Sequence, residues 1–256
     1  MKRFATVLRG VAFPLALVVA AQIAATITHL QSDTLASPSS ALVAGAHAFA
    51  DGSIPLATVQ TLANAFGGLV LGGGAGLLLG VLLGSVALAD RLMEFSVEAL
   101  RPIPSVALIP VAMLMFGFGY RMEIAIVSFA AFWPVLILTR NAVAGVDAGL
   151  FDLARVLRLG PIARTVKIVL PASLPRIFIA FRLAAGIALT VAVTVEVAAN
   201  PLGLGYEMIL AEQSLHPELM LAYLVWIGIV GWALNFAIVN IQSRLFGRSA
   251  QVRSAP

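Results

Sequence analysis

The residues able to do chemistry are few and dispersed. Of 256 residues, 16 are Lys or Arg, 12 are Asp or Glu, three are His and none is Cys. Without cysteine there is no thiolate nucleophile, disulfide or sulfur metal ligand. His29, His47 and His216 lack metal-ligand spacing. A phosphate-cradling P-loop needs Gly-Lys followed by Ser or Thr, and neither lysine, Lys2 or Lys167, follows a glycine. No paired carboxylates and no nucleophile–base constellation mark an enzyme. Glu196, with Asn200 four residues on, falls towards the end of an apolar run. It lies either within the membrane or at its outer interface, solvated or paired with Arg121, and the interface reading is favoured. A proton- or sodium-coupled carrier calls for more intramembrane polar groups than these.

Charge gathers in one stretch, 151–177, FDLARVLRLGPIARTVKIVLPASLPRI, which carries Arg155, Arg158, Arg164, Lys167 and Arg176. A central Arg or Lys costs at least about 2.5–3.5 kcal/mol in hydrocarbon, so this segment is a loop outside the bilayer. Leu153, Val156, Leu157 and Leu159 form an apolar stripe at helical spacing with the arginines on other faces. Gly160-Pro161 is expected to break that helix. Ile162, Val166, Ile168, Val169 and Leu170 form a second apolar stretch, expected to be closed off by Pro171 and Pro175. Two short helices exposed between spans suit a docking element.

The elements that position this loop follow from composition. Hydrophobic residues make up 61% of the chain and charged residues 11%, against about 25% charge in soluble domains; mean hydropathy is +1.01. The chain is an all-α polytopic membrane protein. Its net charge of +4 does not indicate a nucleic-acid partner, because the basic residues stand at the boundaries of apolar runs rather than on one face. The partner they indicate is the lipid bilayer.

In order, a basic start (Lys2, Arg3, Arg9) precedes an apolar run at 11–28, long enough for a retained first span. The segment 29–55 lacks Lys and Arg and reads as an extracytoplasmic loop with a short surface helix at 39–50. The second run, 56–89, carries Gly68, Gly72, Gly76, Gly80 and Gly84 every four residues. They form a small-residue ridge for close helix packing, within this chain rather than between subunits. Asp90, Arg91, Glu94, Glu98 and Arg101 mark a short connection. A third span at 100–121 begins with Pro102 and Pro104 and is kinked or interrupted at Pro110. The fourth, fifth and last spans fall at 124–138, 177–199 and 219–241, with 201–218 outside. Six spans with both termini cytoplasmic put the basic residues on the inner side, Arg121 excepted.

Several of these segments resemble ABC importer permeases. The central loop is similar to their EAA loop: Glu-Ala-Ala, three residues, Gly, nine residues, Ile-x-Leu-Pro. Asp152-Leu153-Ala154 match loosely, and Ile168-Val169-Leu170-Pro171 match in full at the required spacing, while the motif's glycine falls on Arg158 and Gly160 lies two residues later. Leu100 to Pro104, Ala107 to Pro110, Phe116-Gly117-Phe118-Gly119, Ala154 to Leu157, Leu170 to Pro175, Arg182 with Gly186, Gly203-Leu204-Gly205-Tyr206, and Gly228 to Gly231 with Arg244 look like the nitrate, sulfonate and taurine branch.

The resemblance implies a type I permease fold in the inner membrane. It divides the chain into a first span and loop (1–55), a permease core (56–247) with coupling loop 148–176, and a cytoplasmic tail (248–256). It implies a non-catalytic transport subunit that binds no cofactor itself. ATP and Mg belong to a partner ATPase, a solute-binding protein delivers substrate, and a second permease copy completes the pathway. Asp152, Leu153, Ala154, Arg155, Leu157, Arg158, Gly160, Ile168, Leu170 and Pro171 are the implied coupling residues, with 151–159 as the coupling helix and Asp152 favouring its N-terminal dipole. Glu196, Asn200 and Pro110 are candidates for the pathway or gate. The implied substrate is a small anion such as a sulfonate, taurine or nitrate; alternatives are a thiamine precursor or other heterocycle. An ATP-independent carrier or channel and a non-transporting scaffold are the rival classes.

Overall fold

The computed structural model describes residues 2–27 and 36–246, and among these there is no strand. Helix α1 spans Lys2–Ile27, α2 Pro38–Ala50 and α3 Ser53–Ser85. Next come α4, Ala87–Leu100, a 3₁₀ turn at Ser105–Leu108, α5, Ile109–Phe116, and α6, Tyr120–Ala144. The loop holds α7, Ala148–Val156, and α8, Pro161–Arg164. A π-turn at Thr165–Val169 leads into α9, Leu170–Ala198. Helices α10, Leu204–Gln213, and α11, Pro217–Phe246, complete the description. The 248–256 tail lies outside the described residues.

The glycine ridge sets the centre of the fold. A Cβ on Gly72 would collide with the Ser128 carbonyl; on Gly76, Gly80 and Gly84 it would fall 2.6–2.7 Å from the carbonyl oxygens of Phe132, Leu136 and Arg140. Gly68 packs against Val127 in the same way. Partner numbers rise together along both helices, so α3 and α6 run parallel, backbone against backbone. In hydrocarbon such contact supplies the dispersion energy that the hydrophobic effect cannot. Helix α9 completes the core with Ala184, Ala185, Ala188 and Ala192 against Ala65, Leu69, Val127, Ala131 and Val135.

Because α3 and α6 are parallel, the chain between them must return to the end from which it started. It does so by a broken route. Helices α4 and the 3₁₀–α5 pair meet at an 82° bend. The expected short connection is thus itself a helix, and the expected third span is an eight-residue helix behind a 3₁₀ turn. Proline explains both: Pro102 and Pro104 cannot continue α4, and Pro110 sits in the first turn of α5, where a missing N–H costs nothing.

Among the described residues, four helices have the length and apolarity to cross a membrane, or five if the bent pair counts as one. Helix α1 contributes a shorter apolar stretch, Leu15–Ile27, to the six spans expected. One of the four runs without interruption from Pro161 to Ala198, so Pro171 and Pro175 do not close off the second loop helix as expected. The π-turn ahead of Pro171 absorbs the change of register: the Leu170 N–H bonds to the Thr165 carbonyl, one residue beyond the α-helical partner.

Candidate functional site

Two regions stand out, at opposite ends of the α3–α6–α9 core. At the loop end, Asp90 and Arg140 form a half-buried ion pair that ties α4 to the end of α6, with Arg140 Nη2 donating to Asp90 Oδ2 at 2.7 Å. Beyond it, Asp147 caps α7 by accepting the Gly149 N–H at 2.7 Å. The expected helix at 151–159 therefore begins and ends three residues earlier. Asp152 is not at its N-terminus but mid-helix, in an exposed pair with Arg155 at 3.1 Å.

Helix α7 ends in a reciprocal pair of bonds, Leu159 N–H to Ala154 O and Arg158 N–H to Arg155 O, both 3.0 Å. This closure needs a left-handed residue at the turn, and Arg158 supplies it with φ 49°. The break falls at Arg158, the motif's glycine position, and not at Gly160, whose φ is −66°. An arginine thus takes, at the motif's glycine position, a backbone angle that glycine adopts freely.

The two faces of α7 differ. Ala154 is buried and Phe151 lies beneath the Arg164 guanidinium, 5.6 Å from centroid to carbon, while Arg176 Nη1 donates to the Gly145 carbonyl at 3.1 Å. These contacts seat the loop on the core. Leu153, Leu157 and Val166 are exposed, and Val156 and Ile162 are 79% and 81% exposed. An apolar ridge thus projects from a fixed base. Of the remaining coupling candidates, Ile168 and Leu170 are half-buried and Pro171 is exposed.

At the other end, the structure gathers polar residues that sequence reading left apart. Glu123, in the first turn of α6, is 0% exposed, and Glu196, near the end of α9, is 1% exposed. Asn64 Nδ2 donates to Glu123 Oε2 at 2.6 Å, and Asn200 Nδ2 donates to the same oxygen. Helix α10 starts against this group with three successive N–H groups satisfied: Gly203 by Gln60 Oε1 (3.0 Å), Leu204 by Thr61 Oγ1 (2.9 Å) and Gly205 by Glu196 Oε2 (2.8 Å). Gly203 holds φ 93°, and a Cβ there would overlap the Glu196 carboxylate.

This polar knot joins α3, α6, α9 and α10. Glu196 is therefore neither solvated nor paired with Arg121, which is exposed, and Glu123, one residue before the fourth span expected at 124–138, lies within α6. Helix geometry is the reason: the last turn of α9 folds its carboxylate inward to cap α10. The missed signal was Gln60, Thr61 and Asn64, polar residues sharing one helical face in an apolar run. Pro110, exposed at the start of α5, is not among the knot's hydrogen-bond partners.

A third feature is a cavity of about 430 Å³ between the 3₁₀ turn, α6 and α9, bordered by Arg101, Ser105, Phe129, Trp133, Leu183 and Ile187 among others. Its walls are mostly apolar. Among the described residues, no three His, Asp or Glu side chains are gathered as metal ligands.

The described residues thus form a helical membrane protein with a loop helix seated on its core and turned outward. The chain matches the family described as "Binding-protein-dependent transport system inner membrane component" over residues 72–250, and it belongs to that family of multi-pass permeases. It is 36% identical over 164 residues to SsuC of Bacillus subtilis (strain 168), a protein named for aliphatic sulfonates transport; the match covers 64% of this chain and 59% of SsuC. It is 28% identical over 171 residues to the nitrate import permease protein NrtB of Leptolyngbya laminosa, covering 67% of this chain and 61% of NrtB. Each match thus takes in less than two thirds of the relative. The fold is similar to that of the MetNI methionine ABC transporter in inward-facing conformations, with a TM-score of 0.66 at 23% identity, covering 73% of this chain and 94% of that one.

Proposed function

We propose that this chain is the membrane-spanning subunit of an ATP-driven importer, and that α7 couples it to a separate ATPase. The observation that carries this reading is the two-faced loop helix: Ala154 and Phe151 anchor it, while Leu153, Val156 and Leu157 project unpaired into the surroundings. Such a ridge fits a groove on a partner, and the anchored side passes the partner's movement to the core. The loop end is cytoplasmic in this reading, in keeping with its basic residues.

ATP, together with Mg, is bound by the partner and the ATP is hydrolysed there; this chain takes no part in that chemistry. A second copy completes the pathway, and a solute-binding protein supplies substrate on the opposite side. Residues 56–247 form the permease core. The substrate is a small anion of the sulfonate, taurine or nitrate type, a reading supported by the named transport roles of SsuC and NrtB.

The test is substrate uptake and ATPase recovery after mild-detergent purification. Ala154 is 1% exposed, so changing it would disturb the loop's own seat, and the sharper probe is the exposed pair Leu153→Glu with Val156→Glu. This double variant is expected to insert normally, with stability within about 0.5 kcal/mol of the parent, yet to lose the co-purifying ATPase and uptake together. Full uptake by the double variant would remove the coupling role from α7. Uptake in vesicles without ATP would replace the importer with a carrier.

A further inference from the structure

The bend between α4 and α5 sits at membrane depth. Ile109, Ala112 and Met113 pack beside Met122 and Ile126, in the first two turns of α6. The residues just before them, 101–105, therefore fall level with Phe129 and Trp133, near the middle of that helix. Helix α9 meets them with Leu183 and Ile187, also near its middle. Residues 101–104 form no regular helix. Such backbone is tolerated within a bilayer only where protein buries it or where it lines a cavity, and Arg101 and Ile103 border the cavity of about 430 Å³.

Three polar side chains border this cavity: Arg101, Ser105 and Trp133. The Arg101 guanidinium has no hydrogen-bond or ion-pair partner among the described residues, and Glu98, one turn earlier, is not paired with it. Trp133 Nε1 is buried and also unpaired. Both groups can only donate, and no Asp or Glu borders the cavity to accept from them. A cation at this depth is costly and marks a functional site by default. The rest of the wall is apolar, with Phe129, Leu183 and Ile187. The volume falls in the range of about 300–1,000 Å³ usual for small-molecule sites. A bare ion such as nitrate would meet mainly hydrocarbon there, and the ammonium group of taurine would meet no carboxylate.

We infer that this cavity binds an organic oxyanion with an apolar body, its oxygens accepting from Arg101 and Trp133 and its body lying against Phe129, Leu183 and Ile187. That this anion is the transported substrate rests on the importer reading. The site narrows the substrate from small anions at large to those with one anionic head and a hydrocarbon remainder. Its position suits the role, because in secondary transporters, too, substrate sites lie near the bilayer midplane beside interrupted helices. Arg101 is then a specificity-determining residue at the cavity, not part of a short connection at the inner face.

The experiment is equilibrium binding of radiolabelled pentanesulfonate to the full chain in detergent, with any co-purifying ATPase but without solute-binding protein or ATP. Saturable binding to the parent is expected, weakened about 10-fold or more by Arg101→Gln and about 2–10-fold by Trp133→Phe. Nitrate and taurine are expected to compete at least about 10-fold less well than unlabelled pentanesulfonate. Absence of saturable binding would overturn the inference. So would equal affinity in the parent and Arg101→Gln, since the probe would then be partitioning onto apolar surface. Competition by nitrate or taurine as strong as by pentanesulfonate would overturn the assigned class of ligand. If Arg101→Gln does not fold, NMR of isotope-labelled tryptophan in the parent decides. Pentanesulfonate is expected to shift the Trp133 indole N–H signal and leave those of Trp226 and Trp232 in place; an unmoved Trp133 signal overturns the site. These measurements involve neither ATP nor the α7 contact, so their failure leaves the importer reading standing, and ATP-independent uptake would remove that reading while leaving the site.

Discussion

The two ends of the core handle polarity in opposite ways. At the loop end, charge is spent on water: Arg155 and Asp152 are exposed, their ion pair is loose, and the apolar side chains of α7 stand outward. At the knot end, polar groups turn inward and apolar ones surround them, so that Leu204 beside the knot is fully buried against Ile54 and Tyr223. The loop is built to meet something else, whereas the knot is built to hold the chain to itself. Exposed pairs contribute about 0–1 kcal/mol, while each hydrogen bond lost from a buried group costs about 1–3 kcal/mol. Stability therefore belongs to the knot and the glycine ridge, and freedom to evolve partners belongs to the loop.

That contrast can be broken most severely at its middle. Gly72→Leu would drive a side chain into the Ser128 backbone, separate α3 from α6, and cost about 3 kcal/mol or more. The expected result is loss of monodisperse protein on size-exclusion chromatography, and normal recovery would show that the two helices can move apart freely. Next in size, Gly203→Ala must adopt a positive φ and displace the Glu196 carboxylate. A cost of about 2–3 kcal/mol is expected from strain and broken capping, read as a fall in Tm.

At the loop end, Arg158→Gly should act in the other direction. It removes the left-handed strain of a residue with a Cβ, worth about 1 kcal/mol, and is expected to slow proteolysis of the loop without altering the knot. Faster cleavage would show that the arginine side chain, not the turn, matters there.

The smallest effect lies outside the spans. The Ser53 N–H bonded to Asp51 holds that carboxyl below its usual range, aided by the Ser53 hydroxyl. Its contribution is present above the ordinary carboxylate range and disappears as pH falls through its lowered folded value. Asp51→Ala should therefore lower Tm slightly at neutral pH and leave it unchanged in strong acid.

Which features could be read in the sequence follows from the same division. Charges at the loop end interrupt apolar runs, so 151–177 is visible to hydropathy alone. The glycine ridge is visible because Gly68 to Gly84 repeat at helical spacing. The knot is not, because Asn64 and Glu123 are 59 residues apart and Glu123 and Asn200 are 77 apart. Each looks like an isolated polar residue until tertiary packing brings it to the others. The broken third span was obscured for a different reason: three prolines within nine residues of Pro102 to Pro110 exclude a regular helix without specifying what replaces it. Arg158 hid its turn because an arginine seldom takes the backbone angle that glycine takes freely.

The unbroken helix from Pro161 to Ala198 has a mechanical consequence. At 38 residues and 1.5 Å of rise each it is a rod of about 57 Å, nearly twice the roughly 30 Å of a hydrocarbon core. One end carries the loop, and the other carries Glu196. A tilt of about 5° about the first end sweeps the second through about 5 Å, more than the 2.8 Å that separates the Glu196 carboxylate from the Gly205 nitrogen. Over such a lever, a small change of angle at the loop end becomes a displacement of several ångströms beside Glu196.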